Sequence, residues 1–167
     1  MSAWLRPLEV ERLAETQADI DFAGALAELA GLRARPGGVS GSVRGRARFS
    51  REQGFAVVEL TVQGSATLEC QRCLQRMELP VDTTTRIALV ATESVAARVP
   101  DELEPVLTSA GWISMGGLVT EELLLALPIV PLHPGEVSCG KEPVPAAPAD
   151  GSETHRPFAD LAALLKR

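Results

Sequence analysis

Tyrosine is absent from this sequence, and aromatic residues of any kind make up only 4% of its 167 positions: Trp4, Trp112 and four phenylalanines. An aromatic-rich interior is thereby excluded. A core has to be built from Val, Leu, Ile and Ala, for which a hydrophobic content of 46% is sufficient. Long apolar runs are also missing. The richest, Leu118 to Leu132, is broken by Thr120, Glu121, Glu122, Pro128 and Pro131, so no membrane-crossing segment is expected. The chain meets Glu9 and Glu11 before any apolar stretch develops, which is unlike a secretory leader, and a cytoplasmic protein is expected. Three cysteines cannot all pair with one another, and a reducing compartment disfavours disulfides in any case. Histidine occurs only at 133 and 155, no serine lies in a G-x-S-x-G elbow, and no phosphate-cradling glycine loop is present. With these parts lacking, the chain is expected not to be an enzyme and to have no small-molecule substrate.

Excess positive charge is lacking too. The net charge is −6, which gives no general attraction to nucleic acid. Residues 1–90 are neutral, with 11 Arg and 11 acids, whereas residues 91–167 carry 5 Lys and Arg against 11 acids. Within the neutral part, Arg33 to Arg51 contains six Arg and no acid, so a local basic surface is compatible with an acidic protein.

What the chain does have is alternation. Residues 39–70 set Val43, Gly45, Ala47 and Phe49, then Val58, Leu60, Val62, Gly64, Ala66, Leu68 and Cys70, against polar neighbours at every second position. This pattern predicts antiparallel strands with one solvated face, a turn at Ser50 to Gly54 and a bulge at Gly64. Residues 77–81 and 83–91 predict further β-structure, with Cys70-Gln71-Arg72-Cys73 at a hairpin tip. A short helix is expected at 7–16, a strand at 19–26 continuing into a helical turn, and a break at Pro36-Gly37-Gly38. Residues 93–111, with Pro100 and Pro105, read as loop. A helix at 119–127 starts at Thr120, with Glu121 and Glu122 in its first turn. The expected whole is an α+β domain over 1–133, an antiparallel sheet or partly open barrel with a few short helices. A flexible Pro-rich linker at 134–157 and a short amphipathic helix at 158–167 follow.

Two constellations bear chemistry. Cys70 and Cys73 across a tight turn can fill two corners of a zinc tetrahedron, and His133 with Cys139 can supply the other two. Such a site would clip the segment after the last helix back onto the hairpin tip, and closing so long a loop costs only modestly more entropy than closing a short one. The plainer alternative is a set of reduced thiols beside a surface histidine. A redox Cys-x-x-Cys is a third alternative, although such pairs ordinarily open a helix that lowers the thiol pKa. The second constellation is Arg44, Arg46 and Arg48. Spacing of two puts them on one side of a strand at about 6–7 Å intervals, where they suit phosphates or a carboxylate-rich partner. Cross-strand pairing with acids such as Glu59 is the ordinary alternative. No aromatic residue is interleaved with them, which excludes a base-stacking platform.

Three segments together resemble the YceD family of bacterial proteins, in order and in spacing: LECQRC (68–73), EELLLALPIVPLH (121–133) followed by Cys139, and the terminal RPFADLAALLKR. The resemblance implies a cytoplasmic factor needed for processing or accumulation of large-subunit ribosomal RNA. Its implied partners are precursor ribosomal RNA, a large-subunit ribosomal protein, or both, and it implies a metal site. Some members carry further cysteines in the tail, where this chain has Cys139 alone.

Overall fold

A computed structural model describes residues 3–35, 37–134 and 139. In chain order it contains a 3-10 turn (Ala3–Leu5), β1 (Pro7–Glu9), α1 (Val10–Glu15), β2 (Asp19–Ala25), a second 3-10 turn (Leu26–Glu28) and α2 (Ala30–Arg33). The long strands β3 (Ser40–Glu52), β4 (Phe55–Glu69) and β5 (Arg76–Val90) follow, then α3 (Glu93–Ala96), β6 (Glu104–Leu107), β7 (Trp112–Ser114) and α4 (Met115–Ala126). β2 to β6 form one five-stranded sheet in sequential order, and β1 pairs with β7 in a separate ribbon. The expected α+β class is therefore observed. Apart from Pro134 and Cys139, the expected linker at 134–157 and helix at 158–167 lie outside the described residues.

The alternation produces a sheet with one buried face. Val58, Leu60, Val62, Ala66 and Leu68 of β4 are buried together with Ala47 and Phe49 of β3 and Phe22 of β2. They pack beneath α1, α2, α4 and Trp4, whose ring stacks on Phe22 with centroids 6.1 Å apart. The opposite face is polar and laced across strands: Thr61 and Thr84 hydroxyls lie 3.2 Å apart, and Gln63 donates to Asp82 at 3.2 Å.

Several local expectations need correction. Pairing of β3 with β4 runs unbroken from Ser40↔Thr67 to Glu52↔Phe55, so no bulge occurs at Gly64. That glycine sits opposite Val43, and a Cβ there would stand 2.3 Å from the Ser42 carbonyl oxygen; close backbone approach is what requires it. The turn is tighter than expected. Only Gln53 and Gly54 are left over, with φ of 49° and 90°, the double left-handed conformation whose twist matches a hairpin. The two β-rich runs at 77–91 are one strand. Pro80 fits within it because β6 pairs with β5 only at Ile87–Val90, so the nitrogen that cannot donate faces a free edge.

Residues 93–111 are not simply loop. Thr92 caps α3 by accepting from the Val95 amide, and β6 adds to β5 in parallel, which makes the sheet mixed. The continuous run Ile87–Val90 is buried on both faces, as strands covered on both sides are. Val57, Ala88, Val90 and Leu103 form a second small core there. At the N-terminus, residues 7–9 are strand and the helix begins at Val10. α4 begins at Met115, well before Thr120, because the Ser114 hydroxyl accepts from the Gly117 amide at 3.0 Å. Glu121 and Glu122 therefore lie past the first turn and do not cap it.

Candidate metal centre

β4 and β5 meet at the hairpin tip, residues 70–75. The Cys70 amide donates to the Gln75 carbonyl at 2.9 Å, the Leu74 amide to the Cys70 carbonyl at 2.8 Å, and Leu74 takes a left-handed φ of 58°. This tight turn points both sulfurs of Cys70-Gln71-Arg72-Cys73 the same way. After α4, Pro128 and Pro131 keep the chain from continuing as helix and carry it past the tip. There the Gln71 amide donates to the Pro131 carbonyl at 2.9 Å, and the Arg72 guanidinium donates to the His133 carbonyl at 3.0 Å. These two bonds bring the His133 ring beside the cysteines, and Cys139 closes the group.

The four ligand atoms of Cys70, Cys73, His133 and Cys139 lie within 4.8 Å of one another. Cys70 and Cys139 sulfurs are 3.8 Å apart, and His133 Nδ1 is 3.4 Å from the Cys73 sulfur and 3.8 Å from that of Cys139. With Zn–S of about 2.3 Å and Zn–N of about 2.0–2.1 Å, a tetrahedral site separates two sulfurs by about 3.8 Å and a sulfur from a nitrogen by about 3.6 Å. The observed spacings sit around those values. Cys70 and Cys139 are buried, Cys73 and His133 partly so.

Electrostatics at the cluster also suit a cation. Burial acts to raise the Cys70 thiol pKa, but backbone N–H groups of Arg72, Cys73 and His133, together with the His133 ring, bond to its sulfur and pull it down to about 5. Cys139 is pushed up to about 11, by burial first and then by its sulfur neighbours Cys73 and Cys70. Crowded sulfurs that cannot all ionise against one another are what a divalent ion relieves. The donor set, three sulfurs and one imidazole, is that of a closed structural zinc site rather than of an oxygen-loving cation. Amide bonds to a ligand sulfur are the supporting contacts that orient it.

All four expected ligands thus come together. The arginines do not form a free cationic row. Arg44, Arg46 and Arg48 share the exposed face of β3, but Arg46 bonds Asp21 at 2.8 Å and lies 3.4 Å from Asp19. Arg48 meets Glu59 at 3.3 Å and Asp19 at 3.9 Å, and Arg44 makes no ion pair among the described residues. The cross-strand pairing weighed as the ordinary alternative is present for two of the three. Sequence patterning does not single out Gln71, Arg72 and Pro131, which hold the two halves of the cluster together through the Gln71 amide, the Pro131 carbonyl and the Arg72 guanidinium. Only the turn residues between the cysteines hinted at them.

The fold and the site together define a class: an α+β sheet protein whose chain is drawn back onto a β-hairpin tip by a cluster of three cysteines and one histidine. The chain belongs to the YceD family. The family described as "Large ribosomal RNA subunit accumulation protein YceD" matches residues 58–165. A protein of that description from Haemophilus influenzae (strain ATCC 51907 / DSM 11121 / KW20 / Rd) is 30% identical over 168 residues, covering 96% of this chain and 97% of that protein. No solved structure matches the chain. Among the described residues no helix is long and apolar enough to cross a membrane.

Proposed function

We propose that the protein is a non-catalytic binding factor in biogenesis of the large ribosomal subunit, acting in the cytoplasm, with zinc as a structural clasp at Cys70, Cys73, His133 and Cys139. The observation that carries the reading is the spacing of those four ligand atoms. Four protein ligands leave no open coordination position for a substrate or an activated water. When bound, zinc supplies cross-linking rather than chemistry: it ties the chain after α4 to the hairpin tip. Beside the clasp, Leu74, Ile129, Val130 and Leu132 are exposed, an apolar set that this tie holds in one place for a partner. The partner is the precursor particle, met through its ribosomal RNA or a ribosomal protein. Pairing with Asp19, Asp21 and Glu59 leaves the Arg44/Arg46/Arg48 face with little net positive field, although such exposed, screened pairs are weak and can exchange for phosphate.

Zinc-supplemented protein purified without chelator should carry one zinc per chain, and Cys73→Ser should lose it. The native protein should sediment with large-subunit precursors, and Arg44→Glu with Arg46→Glu should reduce that association. A metal-free native protein would remove the clasp, and sedimentation only at the top of the gradient would remove the binding role. A thiol–disulfide function is the second reading, favoured by the lowered pKa of Cys70. Against it, the cysteines sit on a β-turn rather than at a helix start, and Cys70 is fully buried. Thiol–disulfide turnover that vanishes in Cys70→Ser would establish it.

A further inference from the structure

An apolar groove runs along α4 on the side of β6 and β7. One part, about 470 Å³, is lined by Val106, Leu107, Trp112, Ile113 and Leu118. A second hollow of about 340 Å³ shares Val106, Leu118 and Glu121 with the first and extends to Leu125. Three of these side chains are open to solvent although nothing in their own packing requires it: Leu107 is 51% exposed, Trp112 47% and Leu125 76%. Contiguous exposed apolar surface of this kind marks an interaction site.

Charge indicates what covers it. Glu104, Glu121 and Glu122 edge the groove, and residues 91–134, which contribute most of its wall, hold six acids and a single basic residue, Arg98. A second copy of the chain would bring the same acidic rim against itself. Residues 140–155 carry three acids against one Lys and gain nothing from that rim, whereas residues 156–167 carry Arg156, Lys166 and Arg167 against Asp160 alone, which makes that last segment the competing occupant. A helix with leucine-type residues on one face and Lys and Arg at its margins satisfies both the apolar floor and the acidic edge. We propose that this groove binds a basic amphipathic helix of another protein. The inference extends the reading of the protein as a binding factor by naming one partner's chemistry, and it concerns a surface separate from the metal clasp.

The test uses the 167-residue chain, purified without chelator, and a synthetic helical peptide with Leu on one face and Lys and Arg on the other. A peptide of the same apolar face with Glu in place of Lys and Arg is the control. Trp112 is a built-in reporter, because the only other tryptophan, Trp4, is buried. The basic peptide should shift Trp112 emission to the blue, with an affinity that falls as salt rises. The acidic control should bind at least about ten-fold more weakly. Leu107→Asp and Leu125→Asp, both at exposed positions that leave the core intact, should each weaken binding by about ten-fold, and Glu121→Lys with Glu122→Lys by a similar factor. Equal binding of the two peptides, or binding indifferent to Leu107→Asp, overturns the proposal. So does a chain ending at residue 139 that binds the peptide markedly better than the full chain, since the groove would then belong to the chain's own terminal segment. A concentration-dependent dimer abolished by Leu107→Asp overturns it in favour of a second copy. Because no ribosomal particle is present, failure here leaves particle association standing, and loss of particle association leaves peptide binding standing.

Discussion

Single residues on the solvated face of the sheet show how local charge is held in balance. Asp21 accepts a hydrogen bond from Arg46, which lowers its carboxyl pKa below the ordinary value; slight desolvation opposes the shift and the Arg46 charge adds to it. Arg46 is correspondingly raised by the Asp21 hydrogen bond and by the charges of Asp19 and Asp21. For a depressed carboxylate, the stability it contributes is present above the unfolded-state pKa and fades as pH falls through the folded-state pKa. In Arg46→Gln, the Asp21 titration followed by carboxyl NMR should move up toward that of a free aspartate, and the mild acid dependence of stability should lessen. An Asp21 titration identical in the two proteins would mean that the pair is not formed in solution. The alternation of Arg44, Arg46 and Arg48 with buried neighbours is plain in the sequence. Their partners Asp19 and Asp21 are not, because these come from a strand whose register with β3 only folding sets.

At the scale of elements, the long hairpin of β3 and β4 is the part that local chemistry specifies most fully. Period-two patterning sets which face is buried, and the Gln53-Gly54 turn sets the register on which that face depends. Gly54→Ala places a Cβ in a left-handed conformation and should cost about 1 kcal/mol, lowering the melting temperature by about 3 °C for a chain of this size. Gln53→Asn, a residue better suited to the same conformation, should move it in the opposite direction. If neither substitution changes thermal unfolding, the turn is not the one described. Elements that depend on distant partners were harder to read. β6 is four residues with a proline inside, and it becomes a strand because β5 offers it an edge. The start of α4 is not legible in the sequence because two glycines, 116 and 117, mask a helix whose capping serine lies just ahead of them.

For the molecule as a whole, the proposed clasp would be a local lock on a sheet that has its own core. Binding of metal to the folded form alone stabilises it by about 4 kcal/mol when free metal is a thousand times its dissociation constant. Removing zinc with a strong chelator should therefore lower the melting temperature. It should also speed hydrogen exchange at the Gln71 and His133 amides while leaving those of Val58 and Leu60 protected under native conditions. Lowering the pH should release metal, because protons compete with it for the ligand atoms. Exchange at Gln71 that is the same with and without zinc would show that the hairpin tip needs no metal to hold the chain.

Composition and periodicity by themselves determined the aliphatic core, the long antiparallel strands, the cysteine-tipped hairpin and which four residues are candidates to hold a metal. Those features follow from residue type and from spacing along the chain. Only the tertiary structure decided that the side chains of residues 70, 73, 133 and 139 gather within 4.8 Å of one another, that Arg46 and Arg48 of the arginine row are paired with acids, and that an acidic apolar groove lies along α4. Each of these depends on where segments remote in sequence come to rest against one another, and no local periodicity encodes that.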